Sequence, residues 1–293
     1  MLLKYPLRPL SAKELTDISA ICYEGTNENF SQNDFYGDAY VLKTFCGFPI
    51  KKSTDGVIPH GIYCGKVCEN DLNSGLRKAY LPNLIQQSDY LSSGFKNFTI
   101  GSPFCYAAKL EEHSQPPSKE GTAVFPLHST EHVTCTYDQT QFIDFLIALP
   151  NKFKPLKVML YWADILRGHH LPFVEAGFDC FTAGHMTNPF FLMNLIKLFR
   201  TTTYTITNGL GSHCFYANYI GNPVYMFEQK PLFTASDESL INRSEVKNIF
   251  KVYKKYITDK NFSYYPYQEY LSNLILGCQY FQTRDRLRSI FEN

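Results

Sequence analysis

Residues 203–228 read TYTITNGLGSHCFYANYIGNPVYMFE. β-Branched and aromatic residues at 203–207 predict a strand, and Asn208, Gly209, Gly211 and Ser212 predict a turn. A helix to about Tyr219 follows, then a turn at Gly221-Asn222-Pro223 and a second strand at 224–227. The stretch is therefore a βαβ unit. Its first turn sets glycines and hydroxyl or amide side chains where a helix begins, and the unpaired N–H groups and positive dipole end there can hold a phosphate. The same residues also suit an ordinary strand-to-helix turn with Ser212 as N-cap. Turns of similar chemistry after three upstream strands favour the phosphate site.

Upstream, 178–183 predicts a strand followed by Gly184-His185-Met186-Thr187, and Asn188-Pro189 opens a helix to Arg200 with proline at its first position. Residues 156–162 form a buried-type strand that runs into Ala163-Asp164 and Arg167-Gly168-His169-His170, with a short helix at 171–176. Residues 122–126 form another strand, ending in Leu127-His128-Ser129-Thr130, and an apolar helix covers 139–149. Strands alternating with helices, several as continuous apolar runs, predict an α/β chain whose parallel sheet is covered on both faces. Ligands bind outside the carboxyl ends of such strands. The candidate binding residues are therefore His128, Ser129, Thr130, Arg167, Gly184, His185, Asn208, Gly211, Ser212 and His213, with Asp164 as a candidate base. Hydroxyls, imidazoles and backbone amides at four neighbouring strand ends suit a phosphorylated nucleotide.

Toward the N-terminus, Ser11 and Glu14 form a capping box that opens a helix to about Tyr23. Strands are expected at 39–45 and 56–63, the second holding Pro59-His60-Gly61, where a histidine beside a glycine can approach a ligand or simply occupy a surface turn. Residues 65–83 read as a polar loop and possible helix, 84–91 as a helix or strand end, 98–101 as a strand, and 109–120 as an exposed Pro-rich loop. Beyond 229 the chain turns helical. At 245–257, Val246, Ile249, Phe250, Tyr253 and Ile257 share a stripe, with Lys247, Lys251, Lys254 and Lys255 among the exposed positions. This helix packs across the sheet or offers a basic face to anionic lipid. A second aromatic-rich helix is expected at 264–281, and 284–288 reads as a solvated helix end. The expected domains are a short N-terminal α/β part at 1–96, a Rossmann-like domain at 97–230 and C-terminal helices at 231–293.

Composition narrows the function classes. A formal net charge of +1, with no Lys/Arg run, offers no electrostatic footprint for nucleic acid. Nine scattered cysteines without a CxxC pair argue against zinc and a secreted disulfide framework, and fit reduced thiols in a cytoplasm. No stretch approaches the roughly 18–20 apolar residues of a membrane span, and the N-terminus has no signal-peptide core. Adjacent His169 and His170 do not offer metal-ligand spacing, so no metal is expected. A phosphate-binding P-loop is missing, Gly209 and Gly211 lack the third glycine of a nicotinamide fingerprint, and Gly211-Ser212-His213 lacks the hydrolase elbow.

Three sets of residues carry a resemblance: Pro59-His60-Gly61; the run from Asp89-Tyr90-Leu91-Ser92-Ser93-Gly94 to Thr99-Ile100-Gly101-Ser102-Pro103; and Thr207-Asn208-Gly209-Leu210-Gly211-Ser212 with Gly221-Asn222-Pro223. Over about residues 57–228 the chain resembles the GT-B glycosyltransferases. Its motif order is similar to that of bacterial surface-polysaccharide enzymes, including teichoic-acid glycerophosphotransferases and some bacterial sialyltransferases. The resemblance implies His60 as a candidate base or cleft residue, Ser212 and its neighbouring amides as a donor-phosphate clamp, and His128 as a donor contact. It departs in a first domain about half the expected length, in one late serine where those families often have two, and in Ser129 where proline often follows the histidine. The implied activity is metal-independent transfer of a sugar from a nucleotide-sugar donor to a glycan or lipid-linked acceptor, with no cofactor. Arg167 and His185 are the expected counter-charges, contact with the inner membrane face is in keeping with such acceptors, and a homo-oligomer is left open. The alternatives are a non-catalytic nucleotide-sugar-binding partner module and a sugar-nucleotide epimerase.

Overall fold

A computed structural model describes residues 8–61, 67–112, 118–235, 244–259, 261–262 and 265–292. The described chain divides into two units, one built from segments of 23–115, 186–193 and 270–293, the other from segments of 1–22, 116–185 and 194–269.

In the unit that begins at Tyr23, strands β1 (Lys78–Leu81) and β2 (Lys96–Thr99) pair in parallel, Lys78 opposite Lys96 and Leu81 opposite Thr99. Val57 adds one bridge to Ala79, which is all that the strand expected at 56–63 amounts to among the described residues. The strand expected at 39–45 is a helix, Asp38–Cys46. The sequence AYVLKTF alternates enough to suggest a strand, yet Ala39, Val41, Leu42, Phe45 and Cys46 are all buried. A helix buried nearly all round shows no 3.6-residue stripe. Left-handed Gly37 and Gly47, at φ 80° and 70°, close its two ends.

Lys43 of that helix is 2% exposed. Its ammonium pairs with Glu28 and donates to Thr26 Oγ1 (2.7 Å), the Thr26 carbonyl (3.1 Å) and the Ile50 carbonyl (3.0 Å). Burial is tolerated because every ammonium proton has an acceptor. The helix Arg284–Glu292, expected to be solvated, buries Leu287, Ile290 and Phe291, and Phe291 lies 4.4 Å from the Tyr80 ring. Its i, i+3, i+4 apolar spacing is masked by the charges of Arg284, Asp285, Arg286, Arg288 and Glu292 around it.

The other unit holds a five-stranded sheet of β3 (Thr122–Phe125), β5 (Leu156–Leu160), β6 (Asp179–Thr182), β7 (Tyr204–Thr207) and β8 (Val224–Met226). Its order is β6-β5-β3-β7-β8, and every pairing is parallel. The chain steps outward from β3 through β5 to β6, then returns to the far side of β3 for β7 and β8. This is the Rossmann-like α/β arrangement, with its switch point between β3 and β7. Helices Gln139–Ile147, Leu171–Glu175, Phe191–Arg200 and Ser212–Tyr219 lie in the crossovers. Val124, Val158, Ile206, Phe142, Leu146 and Leu15 belong to one buried core. Leu15 comes from the helix Ala12–Ser19, whose predicted capping box is present: Ser11 N–H donates to Glu14 Oε2 (2.9 Å) and Glu14 N–H to Ser11 Oγ (3.3 Å). That helix stops at Ser19 rather than Tyr23.

Three further expectations change. Strand β4 (Val133–Thr136) pairs antiparallel with β9 (Leu232–Ala235), a contact between segments too distant in sequence for local patterning to reveal. The helix expected from Asn188-Pro189 starts at Phe191, because Asn188 Oδ1 first accepts the Phe190 N–H (3.0 Å) in a preceding turn. The strand expected to reach Trp162 ends at Leu160, and Trp162–Leu166 is helical. In the helix Ser244–Ile257, Tyr253 and Ile257 are buried as the stripe predicts, whereas the side chains of Val246, Lys247, Ile249 and Phe250 lie outside the described residues. Among the described residues no helix is long and apolar enough to cross a membrane.

Candidate functional site

Strand register puts the candidate turns along one sheet edge. Phe125 lies opposite Thr207, Thr207 opposite Met226, and Leu160 opposite Thr182. The chain therefore leaves β6, β5, β3 and β7 at the same edge, toward His185, Asp164, His128 and Asn208 in turn. Period-two geometry and parallel pairing alone produce this alignment.

At the switch point the crevice is filled. Leu127 N–H donates to Asn208 Oδ1 (2.6 Å), Asn208 Nδ2 donates to Gln229 Oε1 (2.8 Å), and Gln229 Nε2 donates to the Asp138 carbonyl (2.8 Å). Leu127 also lies over Gly209, where an added Cβ would stand 2.1 Å from Leu127 Cδ2. A larger residue there would force the Leu127 side chain to shift. Asn208 is 2% exposed and ties β3 to β7, so the structure gives it a bracing place rather than an open binding position.

The open cleft lies one strand over, beside the ends of β3 and β5, and encloses about 200 Å³. His128, Tyr161, Asp164 and His169 line it, with Tyr137 and Gln139 from the segment after β4. The His128 ring sits 4.2 Å from the Tyr161 ring, and its Nδ1 lies 3.0 Å from the Ser129 carbonyl. Asp164 accepts the Ser129 N–H (3.0 and 3.3 Å to its two oxygens) and faces His169 Nδ1 at 3.1 Å. A carboxylate only accepts, so the hydrogen of this contact sits on His169 Nδ1. Gln139 Nε2 donates to the His169 carbonyl (2.7 Å), which steadies the loop. The Asp164 side chain is 9% exposed and the His169 side chain 43%. Asp164 is therefore placed to orient a partner, and His169 to meet a ligand.

His169 is the residue that sequence reading treated only as a poor metal ligand. The signal was present in Asp164-x₄-His169, spaced to meet across one turn followed by left-handed Gly168. Among the described residues no group of three His, Cys, Asp or Glu side chains could hold a metal ion.

The remaining candidates occupy this edge in different ways. Ser129 is fully buried, and its Oγ accepts the Cys135 N–H (3.1 Å). Thr130 Oγ1 accepts the Val133 N–H (3.1 Å), and Arg167 donates to the Thr130 carbonyl (2.9 Å) while its guanidinium stays exposed. Gly184 N–H is taken by Thr182 Oγ1 (3.1 Å). His185 is 8% exposed, lies 4.1 Å from the Trp162 ring, and has Nε2 3.6 Å from Cys22 Sγ. Burial lowers its pKa from the ordinary histidine value, so it is neutral at pH 7 and supplies no counter-charge.

Ser212 is not the N-cap: Gly211 is, and Ser212 is the first helical residue. His213 stacks on Phe125 at 4.8 Å, with Nε2 3.1 Å from Thr207 Oγ1. Burial, aided by the neighbouring His128, pushes its pKa down to about 3, which makes it a neutral brace under β3. His60 belongs to the other unit, where its ring meets Phe35 at 5.5 Å and Tyr36 at 5.6 Å, and burial lowers its pKa to about 4. The edge thus gathers His128, Asp164 and His169 into one cleft. Asn208, Ser129 and His213 hold its walls.

No protein-family profile matches the chain, and no curated protein matches it.

Proposed function

We propose that this protein is a GT-B-like, metal-independent glycosyltransferase that moves a sugar from a nucleotide-sugar to a glycan or lipid-linked acceptor. The observation that carries the reading is the Asp164–His169 pair opening into a cleft at the carboxyl edge of a Rossmann-like sheet, beside the rings of His128, Tyr161 and Tyr137. Aromatic rings suit the face of a base or sugar, and the exposed Arg167 guanidinium suits the phosphate oxygens. On this reading His169 Nε2 takes or returns the proton of a reacting hydroxyl, with Asp164 fixing the ring, and Asp164 itself does not act as the base. The exposed Arg167 guanidinium meets the charge of the departing nucleoside phosphate. His60, packed against Phe35 and Tyr36 in the other unit, is given no step in this reading.

The test begins with thermal shift against UDP-, GDP-, CMP- and dTDP-sugars, since a ligand at 100 times its Kd adds about 2.7 kcal/mol to native stability. The best binder is then assayed for release of nucleoside phosphate with and without acceptor sugars. His169→Gln should retain binding and lower turnover by about 100-fold or more. Binding without release in the wild type would make the protein a binding module instead. Equal turnover in His169→Gln would remove His169 from the chemistry.

A further inference from the structure

Two thiols in the unit that begins at Tyr23 stand 3.9 Å apart, Cys105 Sγ and Cys278 Sγ. Cys105 lies within the helix Pro103–Leu110 and is 1% exposed, whereas Cys278 opens the short 3₁₀ turn Cys278–Tyr280 and is half-buried. Both are held on firmly docked backbone. Ser102 N–H donates to the Leu276 carbonyl (2.8 Å), Gln282 N–H donates to the Tyr106 hydroxyl (2.9 Å), and the Tyr106 and Phe281 rings stack at 4.4 Å. These contacts bracket the sulfur pair on both sides in sequence, so the thiols face each other without rearrangement of either segment.

We propose that Cys278 and Cys105 form a redox site that takes a small-molecule disulfide of the glutathione class. Cys278 attacks and Cys105 resolves. Cys278 is the accessible sulfur, its S–H has Asn273 Oδ1 at 3.4 Å, and the contact with Cys105 lowers its pKa from the ordinary thiol value. In the first step the Cys278 thiolate attacks one sulfur of the disulfide, forming a mixed disulfide and releasing one thiolate. In the second the Cys105 thiol loses its proton and attacks the Cys278 sulfur, expelling the second small thiolate and leaving the Cys105–Cys278 bond. Two protons pass from the protein thiols to the two released thiolates, and the reagent disulfide is the oxidant. The bond closes a loop of more than 170 residues and fastens the C-terminal segment to the helix at 103–110. Long closed loops gain the most from a cross-link, so the oxidised protein resists unfolding better than the reduced one. This inference does not rest on the transferase reading.

The experiment treats the full chain with oxidised glutathione and follows intact mass, peptide maps and thermal unfolding. The wild type should lose two hydrogens, link the peptide holding Cys105 to the peptide holding Cys278, and gain several degrees in Tm, reversed by dithiothreitol. Cys105→Ala should stop at one glutathione on Cys278. Cys278→Ser, at the half-buried position, should give neither adduct nor cross-link at this pair and no gain in Tm. A cross-link through other cysteines, or no cross-link under conditions that oxidise a small dithiol, would overturn the assignment. Failure of Cys105→Ala to accumulate the Cys278 adduct would overturn the order of attack.

Discussion

Asn208→Ala separates a bracing residue from a ligand contact. In the native chain Asn208 Oδ1 accepts the Leu127 N–H at 2.6 Å and Nδ2 donates to Gln229 Oε1 at 2.8 Å, with the side chain almost wholly out of water. Alanine leaves the Leu127 N–H without its acceptor, which costs about 1–3 kcal/mol for a buried donor. It also removes the bond to Gln229, worth about 0.5–1.5 kcal/mol, although Gln229 keeps its bonds to the Asp138 carbonyl and Gln141. The expected loss is therefore about 2–4 kcal/mol. Urea unfolding followed by far-UV and near-UV signals together is the suitable assay, because a chain of two units need not unfold in one step. Asn208→Asp should lose less, since it keeps an acceptor for Leu127. A loss below about 0.5 kcal/mol in Asn208→Ala, together with weakened nucleotide-sugar binding, would refute the bracing argument and return Asn208 to the binding surface.

Other consequences follow from the same structure. Gly209→Ala forces its Cβ onto Leu127, and should cost about 1–3 kcal/mol in urea unfolding, as overpacking does; a neutral result would mean that Leu127 has room to turn away. Lys43→Met strands the buried Glu28 carboxylate, and a loss of about 3–5 kcal/mol is expected, part of which Glu28→Gln added on top should restore. Stability should also fall as pH is lowered from 6.5 toward 4: His60, held at about 4 in the folded chain, stays neutral there while the unfolded chain takes up the proton. His60→Asn should flatten the pH dependence of the urea midpoint across that window, and an unchanged slope would show that His60 is solvated. His213, held at about 3, acts in the same direction and extends the effect to lower pH.

The sequence alone was sufficient for the parallel α/β sheet. Strand-type runs at 122–126, 156–162 and 203–207, alternating with helical spacing, leave few other ways to satisfy buried backbone groups, and the carboxyl ends of those strands then name the candidate edge. The capping box at Ser11 and Glu14 was equally legible, because its partners lie three residues apart. Tertiary structure decided what sequence could not. Helix Asp38–Cys46 looked like a strand because burial on nearly every side erases the amphipathic stripe. The pairing of β4 with β9 joins residues roughly one hundred positions apart, beyond the reach of any local signal. Within the candidate edge, residue type could not tell a side chain that faces a ligand from one that fastens two strands: Asn208, Ser129 and His213 are spent on the walls, while Asp164 turns His169 into the cleft. That division depends on which polar groups lose water when the loops meet, and desolvation is a property of the assembled fold rather than of any stretch of chain.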